Sequence, residues 1–437
     1  MSKIKKKQRS AANTTESATL SVNEKILHES FQLYTDEEKG LIVLGEKVGL
    51  TLLAPRKKIT VLLIGNHSAG KSSFINWYIE EHVQRTSVAI ETQGFTLITS
   101  GKKRESLTGM TTLHVFPHIR DLEHIEGVVD YLDTQVSTSK QKKFNLVTFI
   151  DSPGLVDGDM NYPFDVNEAI IMLGNTVDLI FVLFDPLGQA LCKRTLNILE
   201  ELSKQNSGKL KLFLSKADTA GLEKDRQRVL IQITQEICKR PGLNKAGFDM
   251  PAIFVPTLAE KSSKCENQIE ELCLEIENTI NRSIQNTLNT LERDAQLIVN
   301  KINEKQQHDS AQNRANLSSK CRGVVLYLLA IFLFLSFCIP FAHKVSVGSL
   351  QLDAYLDVFF LLWNASSDSY HTAITLGYLL FSLLLFFIGG RWFRTALTLS
   401  RSQKKELEAQ VEYVNDIVKG RKAQMYKDYL QQSVELT

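Results

Sequence analysis

The stretch Thr60-Val61-Leu62-Leu63-Ile64-Gly65-Asn66-His67-Ser68-Ala69-Gly70-Lys71-Ser72-Ser73-Phe74-Ile75-Asn76 decides how the rest of the chain is read. An apolar run with the character of a buried strand breaks into a glycine-bracketed loop and then into helix-forming sequence. Gly65 to Ser72 fits the phosphate-loop spacing G-x-x-x-x-G-K-S, with a strand before it and a helix after it. Backbone amides of such a loop wrap a polyphosphate, the helix N-terminus adds its positive end, and Lys71 adds a full charge. Gly70 gives the anion room to reach the backbone, and Ser72 carries a hydroxyl to Mg²⁺. The candidate phosphate contacts are therefore Gly65, Asn66, His67, Ser68, Ala69, Gly70, Lys71, Ser72 and Ser73.

Working outward, residues 57–258 alternate apolar strands with helical patterns, which predicts an α/β domain of the P-loop NTPase (G-domain) type with a mostly parallel sheet. The expected strands are Thr60 to Ile64, Leu113 to Phe116, Leu146 to Ile150, Leu179 to Phe184, Leu210 to Leu214 and Ile253 to Val255. Ligands of such sheets bind beyond the carboxyl ends of the strands. Two further motifs stand at those ends. Asp151-Ser152-Pro153-Gly154 offers a carboxylate for Mg²⁺, usually through water, and a Gly154 amide that senses the terminal phosphate. Ser215-Lys216-Ala217-Asp218 offers a carboxylate that accepts from guanine N1–H and N2–H₂, and a lysine stem that covers the base.

The order G-N-H-S-A-G-K-S-S-F-I-N, D-S-P-G-L, L-I-F-V-L-F-D-P and L-S-K-A-D resembles the dynamin superfamily of large GTPases, and within it is most similar to the EH-domain-containing (EHD) ATPases. The likeness extends over about residues 60–220 and is strongest from Phe144 to Asp218. It implies that Lys71 and Ser72 bind phosphate and Mg²⁺, that Asp151 supports the metal, and that Thr92 is the switch threonine. Catalytic candidates are thus His67, Ser68, Lys71 and Thr92; metal candidates are Ser72, Thr92 and Asp151. Two positions depart from the family pattern. His67 stands where such proteins carry a residue that positions the catalytic water, and imidazole can orient water. Ser215 replaces an amide or threonine in the base motif, which weakens base discrimination and leaves GTP favoured with ATP as the alternative.

On either side of this head the sequence is helical. Apolar residues from Ile26 to Leu53 recur at steps of three and four, predicting one or two amphipathic helices over 21–56. Ile269, Leu272, Ile276, Ile280, Ile284, Leu288, Leu291, Ala295, Ile298 and Ile302 do the same through a stalk at 259–322. Two uncharged runs follow, at 323–341 and 372–390, each long enough to span a hydrocarbon core. Lys320 and Arg322 precede the first, and Arg391, Arg394, Arg401, Lys404 and Lys405 follow the second. The connecting 342–371 carries Lys344 against Asp353, Asp357 and Asp368 and a glycosylation sequon at Asn364. The positive-inside rule then places both termini in the cytosol and the loop in a lumen. The tail, 391–437, has a helical stripe at Leu407, Val411, Val414, Val418 and Met425. It can pack on the stalk or lie on the bilayer.

Composition agrees with this division. The 437 residues carry 51 basic and 49 acidic side chains, a net charge of +2, which makes no electrostatic case for a nucleic-acid partner. The basic, polar start, 1–20, reads as disordered, and Met1 is followed by no apolar run of the kind a secretion signal needs. Six cysteines lack paired spacing, so neither a zinc site nor a disulfide framework is indicated. The expectation is a membrane-anchored dynamin-like GTPase, integral through two spans and homo-oligomeric through head and stalk, that couples GTP hydrolysis with Mg²⁺ to tethering, fusion or bending of membrane. The endoplasmic reticulum is favoured, with the mitochondrial outer membrane or another organelle as alternatives. The rival readings are an EHD-like ATPase and a slow nucleotide-switched receptor or scaffold.

Overall fold

The computed structural model describes residues 20–85, 94–157, 162–187, 192–221, 223–240, 243, 250–258, 265–345 and 368–435. Thr92 and Asn364 lie outside the described residues. The chain divides into two compact units. One takes the sequence through Glu46, Thr51–Asp294 and the chain from Gly420; the other takes Lys47–Leu50 and Ala295–Lys419.

The first unit is built on a seven-stranded sheet. Its strands are β1 (Ile59–Gly65), β2 (Phe95–Ser100), β3 (Glu105–Thr108), β4 (Leu132–Ser137), β5 (Val147–Asp151), β6 (Leu179–Phe184) and β7 (Leu210–Leu214), in the order β3-β4-β2-β5-β1-β6-β7. The pairs β1–β5, β1–β6, β2–β4 and β6–β7 are parallel, whereas β2–β5 and β3–β4 are antiparallel. Every residue of β1 and β6 is buried, as an unbroken apolar run covered on both faces requires. The start of β1 is anchored by Asp178, which accepts from the Thr60 amide at 2.8 Å and pairs with Arg56 at 2.6 Å. Register then does the positioning: Leu63 lies opposite Asp151, Gly65 opposite Leu183, and Phe184 opposite Leu214. The three sequence motifs therefore leave the sheet along one edge.

Two expected strands are corrected. Leu113 to Phe116 belongs to a short helix, Met110–Val115, and its cap. The helix puts Leu113 and Phe116, three apart, into the core while Val115 stays exposed, a division that alternation cannot produce. Ile253 to Val255 forms no strand. Pairing with β7 is confined to an isolated parallel bridge from Ala252 to Leu214, flanked by hydrogen bonds from Ile253 N to Leu214 O at 2.8 Å and from Ala217 N to Ile253 O at 3.2 Å; from Phe254 on, the side chain of Asn267 takes the amide at 3.1 Å and donates to the carbonyl at 2.9 Å.

The helices of this unit are α1 (Val22–Thr35), α2 (Leu41–Val48, whose end lies in the other unit), α3 (Lys71–Ile79), α4 (Met110–Val115), α5 (Val166–Thr176), α6 (Lys193–Asn206), α7 (Glu223–Cys238), the start of α8 (Ile269–Val345) and, after the second unit, α11 (Lys419–Glu435). α1 opens with a capping box between Ser21 and Glu24. It docks on α8 through a buried hydrogen bond from Tyr34 to Asp294, 2.8 Å, and α11 docks there through Gln285–Tyr429, 3.0 Å, and Lys422–Glu292, 2.8 Å. The apolar stripe from Ile269 to Ile302 is buried throughout.

In the second unit α8 continues to Val345, past Phe341. It is joined by α9 (Asp368–Trp392) and α10 (Arg401–Glu412), and a π-helical turn at Tyr413–Val418 leads out. The helices α8 and α9 touch where Gly323 meets the ring of Phe393 and the carbonyl of Gly389, and where Tyr327 packs edge-on against Phe386 at 4.9 Å. Beyond this contact the surface is apolar and open: Leu328, Phe332 and Phe387 are 62%, 70% and 74% exposed. Among the described residues one helix, α8, is long and apolar enough to cross a membrane, and Leu379–Trp392 is a shorter apolar helix.

Candidate functional site

The loop after β1 turns back through two left-handed residues, Ser68 with φ 63° and Gly70 with φ 90°. A glycine at the second removes the Cβ penalty of that conformation just where α3 begins. The loop is held from outside by its neighbours. The His67 amide donates to Leu155 O at 3.1 Å, the Leu155 amide to Gly65 O at 3.1 Å, and Thr195 of α6 to the Asn66 side chain at 2.6 Å. Ala69 and Asn66 are buried, Ser68 is exposed, and His67, Gly70, Ser72 and Ser73 are half-buried.

Lys71 is buried at the first turn of α3, its ammonium donating to the carbonyls of Gly65 and Asn66 at 3.2 and 3.3 Å. Burial lowers its pKa, and the nearby Asp151 carboxylate opposes that shift. Asp151 is buried too. Burial raises its pKa against the pull of Lys71 and of Ser72, whose hydroxyl donates to Oδ2 at 2.6 Å. Its other oxygen, Oδ1, is buried with no hydrogen-bond partner among the described residues. An orphaned carboxylate oxygen costs free energy unless a cation or donor meets it. One carboxylate and one hydroxyl beside a phosphate cradle form a donor set that suits Mg²⁺, which keeps several waters and takes its other ligands from phosphate. The residues thus fit the metal.

Gly154 closes the site from the β5 side. A Cβ there would stand 2.8 Å from the His67 Cα and 3.2 Å from its amide nitrogen, so His67 is pressed between the two phosphate-side motifs. Past Gly154 the chain is tied to α6: Asp157 accepts from the amides of Lys193 and Arg194 at 2.7 and 3.0 Å and from the Cys192 thiol at 2.9 Å. These amides and the thiol hold the Asp157 carboxyl below its ordinary range against the effect of burial, and the helix N-terminus favours its charge. Tyr162 donates to Gly154 O at 2.7 Å and lies under the Arg194 guanidinium.

The third motif lines a cavity of about 240 Å³ with Ala69, Ser73, Phe74, Leu183 and Ile253. Lys216 takes a left-handed φ of 50° and pairs with Asp185 at 3.1 Å, which holds its stem along the cavity. Asp218 is buried in the lining. Ser215 donates to Phe184 O at 3.1 Å, so its hydroxyl proton ties β6 to the loop.

The structure therefore brings Gly65 through Ser73, Asp151, Gly154, Ser215, Lys216 and Asp218 to one sheet edge. Sequence reasoning missed Thr195, Asp157 and the wall at Ile253, Phe254 and Val255. For the first two no local motif exists; for the wall, the Asn267-Gln268 pair ahead of the stalk periodicity was the available sign, because both side chains cap backbone at 252–254.

Among solved structures, the chain is similar to an oligomerised bacterial dynamin pair described as providing a mechanism for long-range sensing and tethering of membranes, at 15% identity over 94% of this chain and 76% of that one, with a TM-score of 0.42. It is also similar to Toc33 from Arabidopsis thaliana in complex with GDP and Mg²⁺, at 16% identity over 57% and 95% with a TM-score of 0.30. A third is Era of Aquifex aeolicus bound to GDP·AlF₄⁻, at 14% over 50% and 55% with a TM-score of 0.28. No curated protein matches the sequence. Residues 60–216, which carry the first two motifs and the start of the third, match the family model described as 50S ribosome-binding GTPase, and this supports a nucleoside triphosphatase domain with GTP as the favoured nucleotide.

Proposed function

We propose that this protein is a membrane-anchored, dynamin-like GTPase that binds and hydrolyses GTP with Mg²⁺ and couples the nucleotide cycle to oligomerisation and membrane tethering, fusion or bending. The observation that carries the reading is the convergence of Lys71, the Ser72–Asp151 pair and Asp218 on one edge of a sheet whose order and register position all three motifs. Ser72 and Asp151 would hold Mg²⁺, which would supply positive charge against the phosphates. Lys71 exchanges the carbonyls of Gly65 and Asn66 for phosphate, which supplies the negative charge its burial lacks. The loop amides from His67 to Ser72 cradle the phosphates, Gly154 reports the terminal one, and His67 orients water. Thr92 acts as the switch threonine, ordered by nucleotide and released on hydrolysis.

Membrane anchoring is supported by the exposed apolar surface of α8 and α9 and by the basic residues that precede the apolar segment of α8 and follow that of α9. Both termini are then cytosolic, with the endoplasmic reticulum favoured. One observation favours a second reading for the base: with the Ser215 proton on Phe184 O, discrimination rests on few groups, and an EHD-like preference for ATP is the alternative.

The test measures Mg²⁺-dependent binding and turnover of GTP and ATP side by side on the full chain in detergent or vesicles. GTP bound more tightly, hydrolysed, and lost in Lys71→Ala is the expected result. ATP bound at least about tenfold tighter, a difference of ~1.4 kcal/mol, would overturn the choice of nucleotide. Absence of hydrolysis with either would replace the enzyme by a nucleotide-switched receptor.

A further inference from the structure

We propose that the base of the paired apolar helices is a binding site for the headgroups of anionic phospholipids. The proposal rests on the membrane reading and goes beyond it, because a bilayer anchor needs only apolar surface.

The first observation is uncompensated charge. Lys320 and Arg322 on α8, Arg391 and Arg394 at the end of α9, and Arg401 and Lys405 at the start of α10 are all exposed. None of them makes an ion pair among the described residues, whereas Lys404 pairs with Asp309, Lys301 with Glu304 and Lys47 with Glu406 in the same unit. For the four on α8 and α9 the neighbouring sequence supplies no partner either, since neither 310–352 nor 369–400 contains an aspartate or glutamate. In a chain whose charges nearly balance, this is a local excess of one sign.

The second observation is placement. Ser319 donates to Trp392 O at 2.9 Å and Gly323 abuts Phe393, which brings Lys320 and Arg322 level with Arg391 and Arg394. The open apolar surface begins immediately beyond, at Val324, Val325 and Ile388. The Arg322 guanidinium lies 5.5 Å from the Trp392 ring, an aromatic of the type that favours the headgroup level.

The third is preorganisation. The chain between α9 and α10 is neither helix nor strand, yet it is fastened along α8. Asn316 donates to Ala396 O at 2.9 Å and accepts from its amide at 3.1 Å, and Asp309 accepts from the Leu399 amide at 2.6 Å. The cations are thus carried on supported backbone. Arginine forks match phosphate oxygens in pairs, and a zwitterionic headgroup would leave the net charge of the cluster unanswered.

Trp392 supplies the readout. In the full chain with Trp77→Phe and Trp363→Phe it is the sole remaining tryptophan of three. That chain is reconstituted in vesicles containing brominated phosphatidylglycerol or brominated phosphatidylcholine at equal mole fraction. We expect quenching to report a preference for the anionic lipid of about fivefold, weakened by ~0.5 M salt. The triple variant Arg322→Gln, Arg391→Gln, Arg394→Gln loses the preference while its quenching by brominated phosphatidylcholine is unchanged. Equal quenching by the two lipids, or a preference that survives the triple variant, overturns the site and leaves the membrane anchor standing. Quenching by neither lipid overturns the anchor and the site together.

Discussion

Asp151 stood out in the sequence as a candidate metal ligand from its place at the end of a strand, but its cost to the protein did not. Buried beside Lys71 with one oxygen unpartnered, it destabilises the nucleotide-free chain, so Asp151→Asn should raise the apo melting temperature while abolishing the Mg²⁺ dependence of GTP binding; calorimetry and titration with and without metal check both halves. The contact between Gly154 and His67 makes a second prediction. Gly154→Ala should leave the fold intact and lower turnover by at least about tenfold, because its Cβ would displace the phosphate loop by several tenths of an ångström. His118, outside the site, carries a prediction about acid stability. Burial, aided by Arg56, holds its pKa down to about 4, with its Nε2 buried and unpartnered. Between the ordinary value near 6.5 and 4 the unfolded chain binds a proton that the folded one refuses, so stability present above about pH 6.5 is lost as pH falls, by up to about 3 kcal/mol. Denaturant melts of His118→Phe across that window should show a flattened acid limb.

At the scale of elements, period decided what could be read. Strands β1 and β6 are nearly continuous apolar runs, and β5 and β7 are apolar apart from Thr148, Asp151 and Lys211, so these four stand out; β2 mixes Phe95, Leu97 and Ile98 with Thr96, Thr99 and Ser100, β3 is an exposed edge of Glu105-Ser106-Leu107-Thr108, and β4 sets Leu132 and Val136 among polar residues, so none of these three was expected. Leu113 to Phe116 is short enough to serve either period, and only the core on one side selects the helix. The stalk stripe was legible because ten apolar positions step by three or four through polar sequence, and each is buried. What no periodicity shows is Tyr34–Asp294, two polar groups 260 residues apart whose hydrogen bond fastens α1 to α8. Both are buried, and burial with the Asp294 carboxylate pushes the Tyr34 phenol well above its ordinary range. Tyr34→Phe should therefore cost roughly 1–3 kcal/mol in chemical denaturation, by leaving the carboxylate short of a donor, without changing nucleotide affinity.

For the whole molecule, membrane anchoring carries its own prediction. The chain should remain in the membrane fraction through alkaline carbonate extraction, and external protease should digest the nucleotide-binding head on intact microsomes; protection of the head would reverse the orientation. Sequence by itself determined the chemistry that depends on neighbours in the chain: the Gly65–Ser72 loop, the Asp151 and Asp218 motifs at strand ends, the stalk stripe, and two uncharged runs flanked by cations. These are local because backbone conformation, periodicity and transfer free energy are set over a few to about twenty residues. Tertiary structure decided what depends on distance in space. Strand order and register bring Asp151 to Ser72, Thr195 fastens Asn66, Asp157 joins the segment after Gly154 to α6, and the Gly323–Gly389 contact gathers scattered arginines at one level. None of these pairs is adjacent in sequence, and their energies exist only once the core has closed around them.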